Sequence, residues 1–282
     1  MQVFLNGQFV PEDQAYVSVF DRGFLYGDAL FETLRVYGGR PFRWRQHLER
    51  LQRGADYLRL RLPFAPDALR GFADELLRRN AVSETVLRLT LTRGVGPRGY
   101  SPRRADRPFL VMELWPAPPV EAEAADGWRV IVSSIRVPAD DPLAAFKTAN
   151  KLPQVLARAE ADAQGADEAL LLNHAGNVTE ATASNLFWIQ QGTVLTPPLS
   201  SGVLPGVTRA LVLELCAALG IPCAEADVKA EGLKAAEGAF LSRSTSEIVE
   251  VVALDGVAIK RSGVVPRLRR AYRDVVRFET TG

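Results

Sequence analysis

Two cysteines and two histidines are all that 282 residues contain of the residues most often used for disulfides and metals. Cys216 and Cys223 give neither a disulfide framework nor a metal-ligand spacing. Cys216 falls within an apolar helical run, so both read as ordinary thiols of a reducing compartment. His47 and His174 fall in a helix and a turn with no metal-ligand partners at useful spacing, so no metal is expected. An excess of one charge is also missing. Lys and Arg total 34 against 33 Asp and Glu, a formal net charge of +1, which argues against a nucleic-acid or membrane-surface role driven by bulk charge. No uncharged run is long enough to span a membrane. The first residues lack the cationic start and long apolar stretch of a signal peptide, so a soluble, cytoplasmic protein is expected. There is no Gly-x-Ser-x-Gly elbow, and the loop Arg93–Tyr100 lacks the Gly-Lys-Ser/Thr ending of an ATP loop. Internal repeats, coiled coils and low-complexity tracts are absent too.

What is there is a globular composition, 47% hydrophobic, in a chain long enough for one large domain or two ordinary ones. The first part opens as a hairpin, Gln2 to Asn6 and Phe9-Val10 around Gly7-Gln8. A strand ends at the Gly38-Gly39 turn. On it Phe31, Thr33 and Arg35 share one face, while Glu32 and Leu34 point the other way. Helices follow at Arg45–Tyr57, with His47 and Arg50 on one side, and at Asp67–Arg79; strands follow at Thr85–Thr92 and Phe109–Leu114. This part reads as α+β. The stretch Pro116–Gly127, rich in proline, alanine and acid, reads as a linker. The expected domains are therefore 1–115 and 128–282, joined by 116–127.

The second part places Phe146-Lys147-Thr148-Ala149-Asn150-Lys151 between the strand Trp128–Val132 and a helix from about Leu152 to Gln164. Pro153 suits that helix's first turn and Gly165 its end. Further on come a short buried strand, Ala169–Asn173; the segment Val178–Ile189; a helix opened by Gly206-Val207-Thr208; a hairpin across Asp255-Gly256; and a basic helix, Pro266–Phe278. The arginines Arg43, Arg45, Arg267, Arg269 and Arg270 read as solvated.

Several features of this part fit one ligand, a phosphorylated, nitrogenous aromatic aldehyde held as a Schiff base. Gly206-Val207-Thr208 leads straight into a helix N-terminus, whose free N–H groups and positive dipole end form a phosphate cup. Ser244 and Thr245 add hydroxyl and backbone donors in a small-residue loop. Glu180 is an acid in an otherwise small or apolar strand, where it could keep a pyridine nitrogen protonated. A lysine amine is the fourth requirement, to bind the aldehyde and to move the proton.

In order along the chain, Asp21-Arg22-Gly23, Tyr26-Gly27-Asp28, Phe31-Glu32, His47-Leu48-Glu49-Arg50-Leu51, Lys147-Thr148-Ala149-Asn150, Asp167-Glu168-Ala169-Leu170, Thr179-Glu180, Ser184-Asn185-Leu186-Phe187 and Leu204–Arg209 resemble the fold-type-IV pyridoxal-phosphate enzymes. That family includes the branched-chain aminotransferases, the D-amino-acid aminotransferases and the aminodeoxychorismate lyases. The resemblance implies a small N-terminal α/β domain and a larger C-terminal pseudo-barrel, with pyridoxal 5'-phosphate between them. It also implies a homodimer whose second subunit helps to line the pocket. It makes Lys147 the Schiff-base lysine and proton shuttle, and Arg50, Val207, Thr208 and Ser244 the phosphate ligands. Glu180 then faces the pyridine nitrogen and Leu204 packs under the ring. Lys151 departs from the pattern, standing where many members have tyrosine, and is read as pointing to solvent.

For the reaction, the resemblance leaves two possibilities. Glu32 after Phe31, Val207-Thr208-Arg209 and Ser244–Glu247 favour an aminotransferase acting on an amino acid or amine and a 2-oxo acid. The loop Arg93-Gly94-Val95-Gly96-Pro97-Arg98-Gly99-Tyr100 resembles the lyase loop, and the alternative is a lyase making 4-aminobenzoate and pyruvate. Arg98 matches the carboxylate-binding arginine of the D-amino-acid enzymes. Tyr100 stands in place of their histidine and Phe31 in place of their tyrosine, so a weaker D-amino-acid or (R)-amine preference is expected. Arg35 and Thr245 are further candidate substrate contacts.

Overall fold

The computed structural model describes residues 1–118 and 126–281, so part of the expected linker, 119–125, lies outside the described residues. The chain divides into two compact units. One comprises Met1–Ala117, Phe146–Asn150 and Phe278–Gly282; the other comprises Pro118–Ala145 and Lys151–Arg277.

In the first unit, β1 (Gln2–Leu5), β2 (Gln8–Pro11), β3 (Ala29–Tyr37), β4 (Arg40–Pro41), β5 (Thr85–Thr92) and β6 (Phe109–Trp115) form one antiparallel sheet in the order β2-β1-β6-β5-β3-β4. Helix α1 is Arg22–Tyr26, α2 is Trp44–Tyr57 and α3 is Pro66–Asn80. Alternation along β3 and β5 sends Leu30, Leu34, Leu87, Leu89 and Leu91 into a core shared with Leu51 and Ala55 of α2 and Leu69, Ala73 and Leu76 of α3. Each fully buried leucine contributes about 2 kcal/mol. Glu32 lies on the helix-facing side of β3, and Phe31 and Arg35 lie on the other. With its antiparallel sheet and segregated helices this unit is α+β.

In the second unit, β7 (Trp128–Val137), β8 (Glu168–Asn173), β9 (Val178–Ala181), β10 (Asn185–Gln190), β11 (Thr193–Thr196), β12 (Cys223–Glu225), β13 (Gly238–Arg243) and β14 (Glu247–Leu254) follow the order β12-β11-β10-β13-β14-β7-β8-β9, and β15 (Val257–Ala258) pairs with β14. The sheet is mixed: β14, β7 and β8 run parallel, as do β11 and β12. It curls until β9 approaches β10, which makes the half-barrel. Helix α4 (Leu152–Ala163) packs Ala157 and Ala161 against Ile131, Ala169 and Leu171. Helix α5 (Val207–Ala218) packs on β13, followed by α6 (Ala230–Lys234) and α7 (Val264–Thr280).

Some expectations need correction. Phe146–Asn150 does not group with the second unit, because its backbone hydrogen-bonds to β3. Strand β7 runs on to Val137, because its far end keeps pairing in parallel with β8 past an irregularity. Arg43 and Arg269 are not solvated. Arg43 pairs with Glu279 at 3.0 Å and lies 5.8 Å from the Phe42 ring centre, and Arg269 donates from Nε to the Ile248 carbonyl at 3.0 Å.

Candidate active site

The segment bearing Lys147 is held as a short extra strand beside β3. The Phe31 N–H donates to the Lys147 carbonyl and the Ala149 N–H to the Ala29 carbonyl, both at 2.9 Å, so that Leu30 and Thr148 form a bridge. One residue on, the Asn150 amide donates to the Gly27 carbonyl at 3.2 Å. Gly27 ends α1 at φ 66°, and a Cβ there would come within 2.4 Å of Asn150 Oδ1, so glycine is needed for both conformation and space. Phe146 packs on Tyr57 at 4.6 Å between ring centres. Lys147 is thereby half-buried, its Nζ 4.7 Å from the centre of the Phe31 ring.

The same ring receives a second cation. Arg88 of β5 places its guanidinium carbon 3.9 Å from the ring centre and lies 3.5 Å from Glu113. Burial pushes the Arg88 pKa down, and the Glu113 charge works against that. Arg35, also buried, lies 4.0 Å from Glu84 and 5.4 Å from the Tyr37 ring centre.

Behind the sheet, Arg50 is locked to Glu32. Nε donates to Oε1 at 2.8 Å and Nη2 to Oε2 at 2.7 Å, while His47 Nδ1 meets Oε2 at 2.7 Å. Burial pushes the Glu32 carboxyl up, but the charge and hydrogen bonds of Arg50, helped by His47, outweigh it and hold the pKa at about 2. Burial also pushes His47 down, against the pull of Glu32, which favours the neutral ring.

Arg98 and Tyr100 stand on an exposed loop, and Tyr100 is 86% exposed with its ring edge-on to Tyr26. The loop is tied down from beneath. Buried Arg22 donates to Asp28 at 2.9 Å and to the carbonyls of Gly99 and Tyr100 at 2.8 and 3.0 Å, and the Gly99 N–H donates to the Tyr26 hydroxyl at 2.9 Å.

In the second unit, Glu180 sits half-buried on β9. Its Oε2 accepts from the Asn185 side chain and from the Leu204 N–H, both at 3.1 Å, and Asn185 also donates to the Leu204 carbonyl at 2.9 Å. The chain then turns at Gly206 into α5, which has no side-chain cap, so the N–H groups of its first turn, at Val207 and Thr208, are offered to an anion. Arg209 anchors that turn, donating to Glu225 at 2.5 Å and to the Pro197 carbonyl at 3.2 Å. Ser244 and Thr245 occupy the β13–β14 turn, where Thr245 accepts from Arg243 Nε at 2.7 Å. Nearby in sequence, the Ser242 and Ser246 hydroxyls are buried with no hydrogen-bond partner among the described residues. Lys151 is half-buried at the N-terminus of α4, not turned fully to solvent.

The first unit thus brings Lys147 together with Phe31, and the second brings Glu180 together with Leu204. Sequence reasoning assigned no role to Arg88 or to Asn185, the latter entering only within the resemblance at Ser184-Asn185-Leu186-Phe187. Period-2 alternation would have put Arg88 on the Phe31 face of the sheet, and Asn185 opens the strand after Glu180's. Among the described residues, no group of three His, Cys, Asp or Glu could hold a metal ion.

A small antiparallel unit followed by a curled half-barrel is the architecture of a fold-type-IV pyridoxal-phosphate enzyme. The chain belongs to the amino-transferase class IV family, whose model matches residues 29–254. A Methanocaldococcus jannaschii protein bearing the provisional name branched-chain-amino-acid aminotransferase is 37% identical over 279 residues, 98% of this chain and 96% of its own. The D-alanine aminotransferase of Listeria innocua is 32% identical over 287 residues, 98% and 97%. Among solved structures, the branched-chain aminotransferase of the archaeon Thermoproteus uzoniensis with norvaline superposes with a TM-score of 0.91 at 30% identity, covering 98% of this chain and 94% of that one. Enzymes of this class use pyridoxal phosphate, and their substrates are small molecules.

Proposed function

We propose that the protein transfers an amino group between an amino acid or amine, with a leaning to D-amino acids or (R)-amines, and a 2-oxo acid. The observation behind this reading is the strand bridge that fixes Lys147 beside Phe31. A half-buried amine, a buried guanidinium, an uncapped helix start and a carboxylate held by two N–H donors suit an aldehyde, a phosphate and a pyridine nitrogen in turn.

Pyridoxal phosphate, when bound, supplies an aldehyde that exchanges amino groups and a ring that accepts electrons from the adjacent carbon. Lys147 would hold that aldehyde through Nζ and would move the proton at the reacting carbon. Glu180, oriented by Asn185 and Leu204, would keep a proton on the ring nitrogen. Arg50, the Val207 and Thr208 N–H groups and Ser244 would hold the phosphate, and Leu204 would pack on the ring. Phe31, Arg35, Arg98, Tyr100 and Thr245 contact the substrate.

The D leaning is supported by Arg98 and by the D-alanine aminotransferase relative. Tyr100 and Phe31, lacking the imidazole and phenol, weaken the grip on a simple carboxylate. The aminodeoxychorismate lyase alternative rests on the Arg93–Tyr100 loop text. The active form is read as a cytoplasmic homodimer. Tyr16, Phe20 and Phe24 are 77%, 65% and 72% exposed and offer an apolar surface to a second copy. Among the described residues, no helix is long and apolar enough to cross a membrane.

The deciding experiment incubates the yellow protein in turn with D-alanine, L-leucine, (R)-phenylethylamine and aminodeoxychorismate. Conversion to the pyridoxamine form with keto product, fastest for D-alanine or the (R)-amine, is expected. Preference for L-leucine would overturn the stereochemical leaning. Pyruvate and 4-aminobenzoate without cofactor conversion would establish the lyase instead.

A further inference from the structure

The Glu32–His47–Arg50 cluster is built more carefully than stability requires. The three residues are 1%, 3% and 4% exposed. A buried ion pair of this kind is worth little more to the fold than well-packed apolar residues of the same volume. Its geometry does something else: it fixes the plane of a guanidinium. Glu32 takes the Nε–Nη2 edge of Arg50 through two hydrogen bonds. The fork is rigid and planar, so the Nη1 side must then face away from Glu32. His47, donating through Nδ1, steadies the carboxylate at the atom that Nη2 also uses. Glu32 is itself immobile, one residue along β3 from the residue whose N–H binds the Lys147 carbonyl. The strand that holds the lysine segment therefore also sets the arginine.

We propose that Glu32 and His47 are positioning residues for phosphate recognition: they pre-orient Arg50 so that it binds the cofactor's phosphate without first losing side-chain freedom. This rests on the reading of Arg50 as a phosphate ligand. Glu32 lowers the net charge near Arg50, so a purely electrostatic account makes its neutralisation strengthen phosphate binding, whereas orientation makes it weaken phosphate binding. The signs are opposite, which makes the idea testable.

The test titrates cofactor-free protein with pyridoxal 5'-phosphate and with pyridoxal, following absorbance, and takes the ratio of the two affinities. That ratio isolates the phosphate, and a general loosening of the fold would not move it. Glu32→Gln should lower the ratio about tenfold, the worth of a hydrogen bond to a charged group. His47→Ala should lower it by about threefold, and His47→Asn, whose amide N–H can reach the same carboxylate, should restore it. If Glu32→Gln does not fold, the two His47 variants decide alone. An unchanged or raised ratio in the folded variants, with the ratio collapsed in Arg50→Gln, would overturn the positioning role while leaving Arg50 as a ligand. A ratio untouched in Arg50→Gln would overturn the phosphate reading itself.

Discussion

Replacing Gly206 by alanine should destabilise the second unit and loosen Glu180 at the same time. The backbone there is ordinary, with φ −66° and ψ 138°, so the cost is one of space rather than conformation. A Cβ would lie 1.9 Å from Asn185 Oδ1 and 3.2 Å from Arg209 Cβ. Asn185 is 5% exposed and has nowhere cheap to go. Moving it stretches its hydrogen bonds to Glu180 and to the Leu204 carbonyl. Overpacking of this kind costs about 1–3 kcal/mol, and a weakened hydrogen bond to a carboxylate adds about 1–2 kcal/mol. The expected loss is about 2–5 kcal/mol in urea unfolding. Asn185→Ala removes the obstructing atom, at about 1–3 kcal/mol for its lost bonds. The double variant should then be no less stable than Asn185→Ala alone, a coupling of at least about 2 kcal/mol. Additive losses, or a Gly206→Ala protein as stable as the parent, would refute the argument.

Glu32 has its folded pKa depressed from 4.5 to about 2, so its contribution is fully present above pH 4.5 and fades as the pH falls toward 2. The stability gap between the parent and Glu32→Gln in urea melts should be flat at neutral pH and narrow across that acid window. In native protein an Ellman titration should count one fast thiol, the exposed Cys223, because burial and the Cys223 neighbour push Cys216 up to about 12; a second thiol should react on unfolding. Arg22→Met keeps the volume but drops the bonds to Gly99 and Tyr100, so trypsin should cut within the loop bearing Arg98, Arg103 and Arg104 severalfold faster, about the effect of losing 1–2 kcal/mol of local stability.

Much of the fold was legible because local signals agreed. Strand β5 matches its alternation from Thr85 to Thr92, and α4 starts where Pro153 permits and stops before Gly165, whose φ is 64°. Alternation along β3 separated Phe31 from Glu32 correctly, and spacing put His47 and Arg50 on one side of α2. That Glu32 meets those two was not legible, because it depends on how α2 packs against the sheet. The placement of Phe146–Asn150 in the first unit was hidden for a similar reason: Leu30 and Thr148 pair across 118 residues, and no periodicity in either segment announces it. Helix α1 escaped notice because five residues with a glycine inside have weak helix propensity; Asp21 rescues it by accepting from the Gly23 N–H at 2.7 Å. At the candidate site, the residue types suggested the chemistry now proposed, but the second partners that hold them, Asn185 for Glu180 and Glu32 for Arg50, depend on how distant segments pack.

The amine of Lys147 is the proposed covalent anchor. Borohydride reduction of the pyridoxal-phosphate-loaded protein, followed by digestion and mass spectrometry, should find the phosphopyridoxyl mass on Lys147, and the Lys147→Ala protein should lose its yellow colour while Lys151→Ala keeps it. Modification at Lys151, or at any other lysine with Lys147 untouched, would contradict the account.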